Sequence, residues 1–152
     1  MHALRFVSAV TLGLLAGSLM LEGLVLVPFW RSLHPGAFTD LQAAFGPRLY
    51  RYFAPLTATA ASLSLASGIA VVWSKDRGLT DWCTVGAAAL TASLLAFYQL
   101  YFHAANERLP VLAAAGADAA LSAELQRWHR IHLVRTVVSV AAFILAMLGV
   151  AS

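Results

Sequence analysis

The stretch FVSAVTLGLLAGSLMLEGLVLVPF, from Phe6 to Phe29, contains one ionisable side chain, Glu22. An α-helix rises 1.5 Å per residue, so about 20 apolar residues span the hydrocarbon core of a bilayer. This stretch is long enough to cross, and a helix satisfies its own backbone hydrogen bonds in lipid. Read outward from it, the chain offers four apolar runs, at residues 4–30, 53–73, 84–102 and 132–150. None shows the period-2 alternation of a strand, and Ala and Leu dominate them. The expected fold is all-α, an integral membrane four-helix bundle forming a single transmembrane domain over residues 1–152.

Composition points the same way. Hydrophobic residues make up 61% of the chain and charged residues 11%, against about 45 to 50% and about 25% in soluble domains. A cleaved signal peptide is the alternative reading of the first run, because Arg5 precedes it. The run is too long for a signal core, however, and no small-residue cleavage site follows. The lone Cys83 excludes an intramolecular disulfide and reads as a small residue near a helix start.

The links between runs are unequal. Residues 74–83 form a short turn containing Lys75, Asp76, Arg77 and Gly78, whereas links 31–52 and 103–131 each exceed twenty residues. Four crossings put the two long links on one side of the membrane, where they are expected to form a partly helical cap. Phe38, Leu41, Ala44 and Phe45 follow helical spacing, Gly46-Pro47 punctuates before the second crossing, and Ser122 is placed to N-cap a helical entry to the fourth. Pro28 should bend the first helix and Pro55 should sit in the first turn of the second.

Small residues mark close packing: Gly13 and Gly17 on the first helix, and Thr57, Ala60, Ala61, Ser64 and Ser67 on the second. A homo-oligomer using the Gly13/Gly17 face is the alternative to packing within the chain. The long links carry Arg31, Arg48, Arg51, Arg108, Arg127 and Arg130 against Arg5, Lys75 and Arg77 opposite. The positive-inside rule therefore puts the long links in the cytoplasm, with a bacterial inner membrane as the expected location.

Polar groups inside a membrane bundle are hypotheses of function by default. Glu22 lies about 12 Å down the helix from Trp30 at 1.5 Å per residue, inside the hydrocarbon. It should face the interior with Ser18 and Phe29 on the same face. On the third helix Gln99, His103 and Asn106 recur at spacings of four and three, flanked by Tyr98 and Tyr101. On the fourth, Trp128, His132, Arg135 and Thr136 share one face. Three helices thus converge polar groups at one depth.

Plainer readings stand beside these. In one, Arg135 only neutralises Glu22, and Trp30, Trp73, Trp82, Tyr98 and Tyr101 fit an interface belt. His129 would face the headgroups. His103 and His132 are the pair that would clasp a haem or a metal between facing helices, although no cofactor is the leading expectation. No phosphate-cradling glycine loop, Gly-x-Ser-x-Gly elbow or Cys-x-x-Cys pair occurs. The basic residues flank crossings rather than forming a soluble stripe, which argues against nucleic acid.

Four segments carry a family resemblance: Gly13-Leu-Leu-Ala-Gly17, Leu26-Val-Pro-Phe-Trp-Arg-Ser-Leu33, Asn106 with Arg108-Leu109, and Trp128-His-Arg-Ile-His132-Leu-Val-Arg135-Thr136. Together they resemble the anthrone-oxygenase-like family of small bacterial and fungal membrane proteins. The likeness spans nearly the whole chain, and its most specific part is Trp-x-x-x-His-x-x-Arg-Thr opening the last helix. The resemblance implies four membrane helices and oxygenation of anthrones to anthraquinones without a dedicated cofactor. On that chemistry His132 is the expected base, because an imidazole titrates near working pH. Arg135 and Asn106 would hold the enolate oxygen and Trp128 would stack on the rings. Glu22 would orient His132 or serve as base itself. Tyr98, Gln99, His103 and Thr136 would line the substrate, a small hydrophobic molecule entering from the lipid bilayer. A haem-, quinone- or metal-binding module and a non-catalytic structural subunit are the rival functions.

Overall fold

The computed structural model describes residues 1–74 and 78–151; Lys75, Asp76 and Arg77 of the expected short turn lie outside them. Four rods make up the fold: α1 (His2–Ser32), α2 (Pro35–Val72), α3 (Leu79–Ala114) and α4 (Asp118–Val150), all long and apolar enough to cross a membrane. Among the described residues there is no strand. Each rod packs mainly on its two neighbours, in the ring order α1, α2, α3, α4 and back to α1. Successive rods run antiparallel, which brings both long links to one end.

The links are more helical than expected. Only Leu33 and His34 separate α1 from α2. There His34 is extended (φ −74°, ψ 154°) ahead of Pro35, whose fixed φ starts the next helix. Between α3 and α4, Gly116 takes φ +64°, a left-handed conformation that suits glycine. The Gly116 and Ala117 N–H groups bond back to the Ala113 and Leu112 carbonyls and end the helix.

Three boundary expectations are corrected. α2 runs unbroken through Pro47 and Pro55, so Gly46-Pro47 does not punctuate and Pro55 is far from the first turn. Membrane helices tolerate such prolines because neighbouring helices hold the rod in place. Ser122 lies inside α4, whose N-cap position is Ala117.

The packing is inverted relative to a soluble bundle. Phe6, Leu14, Leu21, Ile69, Val137 and Ile144 point outward, while Ser8, Ser64, Ser67, Thr84, Thr91 and Ser139 are buried. Only lipid makes an apolar outer surface of this extent favourable. One apolar cluster (Ala9, Leu12, Leu15, Leu19, Ala60, Ala87, Leu94 and Ala146) fills the bundle below the cap. A second joins Trp30, Phe38, Phe102, Leu109, Leu121, Leu125 and Trp128 at the connector end. At the opposite end Arg5 is buried and ion-paired with Asp81. It also donates to the Gly149 carbonyl at 3.2 Å, tying three rods together.

Small residues set the helix spacing. A Cβ on Gly68 would stand 2.6 Å from the Ala88 Cβ, and one on Gly13 would stand 2.9 Å from the Phe143 ring. Gly17 has nothing within 4 Å of that position, so the Gly-x-x-x-Gly pair divides, with Gly13 serving packing within the chain. Gly68→Ala should therefore cost about 1 to 3 kcal/mol by overpacking. Gly17→Ala should be neutral, or stabilising by up to about 1 kcal/mol through helix propensity. Denaturation of the two variants in mixed micelles checks the contrast, and equal effects would contradict it.

Candidate functional site

Two wide helical turns shape the site. In α1 residues Glu22–Leu26 form a π turn, with the Val27 N–H bonding back to the Glu22 carbonyl five residues earlier. In α3 residues Tyr98–Phe102 do the same, closed by the His103 N–H on the Tyr98 carbonyl. Such single π turns interrupt α-helices at functional sites often enough to direct attention there. Each inserts an extra residue and rotates everything after it relative to a regular helix.

That rotation changes which side chains share a face. From Glu22 the buried positions step to Val27 and Trp30, while Phe29 is 51% exposed, so Phe29 does not share the Glu22 face. Ser18 is half-buried and hydrogen-bonds to the Tyr52 hydroxyl at 2.7 Å. Trp30, expected in an interface belt, is buried and meets Trp128 edge-on, 6.1 Å between centroids. In α3 the π turn moves Phe102, Ala105 and Leu109 inward. Gln99 is left exposed and outside the chamber described next.

Between the rods at the connector end lies a cavity of about 620 Å³, within the range of small-molecule sites. Six aromatic side chains, Trp30, Tyr50, Phe53, Tyr98, Phe102 and Trp128, form much of its wall. Its polar lining comes from all four rods and includes Glu22 from α1, Thr39, Gln42 and Thr57 from α2, His103, Asn106 and Glu107 from α3, and Arg135 from α4. Glu22 and Arg135 are each 8% exposed.

The expected site residues fall into two sets. Glu22, Tyr98, His103, Asn106, Trp128 and Arg135 line the chamber; His132 and Thr136 do not. His132 is fully buried behind the wall. Its Nε2–H donates to the Leu19 carbonyl at 3.0 Å, and Nδ1 lies 3.8 Å from Glu22 Oε2 without a hydrogen bond. Its ring stacks on Trp128 (4.8 Å, 8°) and meets Phe102 edge-on at 6.2 Å. Trp128 is fixed in turn, because its Nε1–H donates to Asn106 Oδ1 at 2.9 Å. That contact leaves the Asn106 amide N–H groups able to donate to a ligand. The Thr136 hydroxyl donates to the His132 carbonyl at 2.9 Å and sits 3.4 Å from the Leu19 carbonyl.

Arg135 and Glu22 form no direct ion pair. The ion pairs among the described residues join Arg5 to Asp81, His103 to Glu107, Arg108 to Glu124 and His132 to Glu22. Arg135 takes part in none of them. Its guanidinium lies over the Phe102 ring at 5.0 Å, and its buried Nε has no hydrogen-bond partner. Glu22 is the nearby carboxyl that acts on this cation, but no direct ion pair closes between them, and a buried guanidinium held by a ring face is suited to receive negative charge from a ligand. His103 stands at the exposed margin, 3.7 Å from Glu107 and edge-on to Tyr98. His103 and His132 thus play separate parts, and among the described residues no three His, Cys, Asp or Glu side chains converge as a metal-binding group. Tyr101 lies off the chamber, with Arg127 over its ring at 5.3 Å.

Sequence reasoning missed Gly23. A Cβ there would stand 2.9 Å from His132 Cδ2 and 3.2 Å from Nε2. The Glu22-Gly23 pair in an apolar run was the available signal.

A family model described as anthrone oxygenase matches residues 47–145, about two thirds of the chain. The match covers Tyr98, Asn106, Trp128, His132 and Arg135 and leaves Glu22 and the rest of α1 outside it. No match is found among curated proteins or among solved structures.

The Trp128–Asn106 bond yields a direct check. Asn106→Leu strands the indole N–H and should cost about 1 kcal/mol, or up to about 3 if no water replaces the acceptor. Asn106→Asp keeps an acceptor and should retain most of that stability. Equal melting temperatures for the wild-type protein and Asn106→Leu would show that the bond contributes nothing.

Proposed function

This chain belongs to the anthrone oxygenase family, and on that premise we propose that its chamber binds a flat aromatic molecule with an acidic C–H beside a carbonyl and promotes oxygenation of that carbon. The observation that carries the reading is a carboxyl and a guanidinium, Glu22 and Arg135, buried in one aromatic-walled chamber without a direct ion pair between them. Burial of this kind strengthens electrostatic interactions with charge that develops during reaction.

The steps balance with dioxygen as the oxidant. Glu22 removes a proton from the anthrone methylene and leaves an enolate whose oxygen is met by Arg135 and the Asn106 amide N–H groups. The electron-rich carbon transfers electrons to dioxygen and forms a C–O bond, giving a hydroperoxide. Loss of the second hydrogen from that carbon with cleavage of the O–O bond gives the carbonyl of the anthraquinone and one water. One oxygen atom enters the product and the other is reduced to water. Trp128 and Phe102 supply ring faces and edges for the substrate. The base, the cation and the dry chamber suffice, so the proposed chemistry uses no cofactor.

The same reading places substrate entry from the bilayer. The six arginines of the long links favour a cytoplasmic cap, and Arg5 counts little against it because it is buried on Asp81.

Protein in lipid nanodiscs, supplied with anthrone and dissolved oxygen, tests the reading by oxygen uptake and anthraquinone absorbance above the spontaneous rate. Glu22→Gln should lower the enzymatic rate about 10²- to 10⁴-fold, and Arg135→Met about 10²-fold. Wild-type turnover in Glu22→Gln, or no rate above background in the wild-type protein, would overturn it.

A further inference from the structure

The histidine nearest Glu22 is held in a way that suits a brace better than a proton acceptor. A carbonyl only accepts hydrogen bonds, so the 3.0 Å contact with Leu19 fixes a hydrogen on His132 Nε2. Nδ1 has no hydrogen-bond partner and is closed to solvent, and the ring forms no part of the chamber wall. Three constraints immobilise the imidazole: the Leu19 carbonyl, the Trp128 face parallel to it at 4.8 Å, and the bare backbone of Gly23 beneath it. The carbonyl it binds belongs to the turn just before the π turn that carries Glu22. The Glu22 backbone N–H also reaches this carbonyl, so the imidazole occupies the second lone pair of the same oxygen and ties α4 to the start of the wide turn.

We infer that His132 is a positioning residue: it clamps the Glu22–Leu26 wide turn through the Leu19 carbonyl and so aims Glu22 into the chamber, while Thr136 provides a second contact on the same carbonyl. The inference rests on the reading of Glu22 as the base. It explains why His132 and Thr136 sit one turn apart on α4 yet neither lines the cavity. It also assigns Gly23 a role, since any side chain there would push the ring off its acceptor.

The decisive comparison is His132→Gln against His132→Phe, because the glutamine amide can reproduce the Nε2 donor and the phenyl ring cannot. Two readouts are taken in nanodiscs: anthrone turnover split into kcat and KM, and amide hydrogen exchange of peptides covering residues 22–27. His132→Phe should lower kcat about a hundredfold with little change in KM, as expected for a misplaced catalytic group, and should speed exchange in that turn alone. His132→Gln should stay within about tenfold of the wild-type kcat with slow exchange retained. Gly23→Ala should resemble His132→Phe, which covers the case in which His132→Phe fails to fold. Equal loss of turnover in His132→Gln and His132→Phe with unchanged exchange would make His132 the proton acceptor and overturn the inference. Wild-type exchange and turnover in His132→Phe would also overturn it. If the wild-type protein does not oxidise anthrone, the oxygenase reading falls, and the exchange data alone decide whether the clamp exists.

Discussion

The arrangement depends on one backbone carbonyl in a low-dielectric interior. Just past Leu19 the regular α1 ladder gives way to the Glu22–Leu26 wide turn, and the Leu19 carbonyl takes the His132 Nε2–H from the neighbouring rod α4. That carbonyl also receives the Glu22 backbone N–H, and the histidine fills its second lone pair. The bond therefore couples the rotational setting of α1 to the position of α4. Glu22, Val27 and Trp30 come to one face because of that setting, and the chamber has its carboxyl wall for the same reason.

Around this contact the aromatic side chains form a lattice in which each ring fixes the next. Asn106 holds Trp128, Trp128 stacks on His132, and Phe102 lies edge-on to both rings with the Arg135 guanidinium over its own face. The result is a wall that holds a carboxyl and a guanidinium in one chamber without a direct ion pair between them. Had Glu22 and Arg135 closed into an ion pair, their role would be adequately explained by mutual neutralisation. On the proposed mechanism, their separation leaves one group free to accept a proton and the other to meet an oxyanion.

The sequence made the architecture legible because crossing hydrocarbon imposes length and apolarity on each rod, and those are properties of runs rather than of single contacts. The inward placement of Glu22, Trp128 and Arg135 was also legible from helical spacing near one membrane surface. Gln99, Phe29 and Trp30 were not, because each lies in or beyond a π turn, and a single inserted residue rotates a face by about 100°. No residue type announces such a turn. The continuity of α2 through Pro47 and Pro55 was hidden for a related reason: helix propensity measured in water does not apply to a rod held by its neighbours and by lipid. The distinction between lining the chamber and bracing it, which separates Arg135 from His132, exists only in three dimensions.

The central claim is that Glu22 is a lipid-shielded carboxyl facing an occupiable chamber. Labelling by carbodiimides followed by peptide mass analysis addresses it directly. The account predicts that a lipid-soluble carbodiimide modifies Glu22, that a water-soluble one leaves it untouched, and that anthraquinone slows the modification. Equal reaction of Glu22 with the water-soluble reagent, or labelling indifferent to anthraquinone, would contradict it.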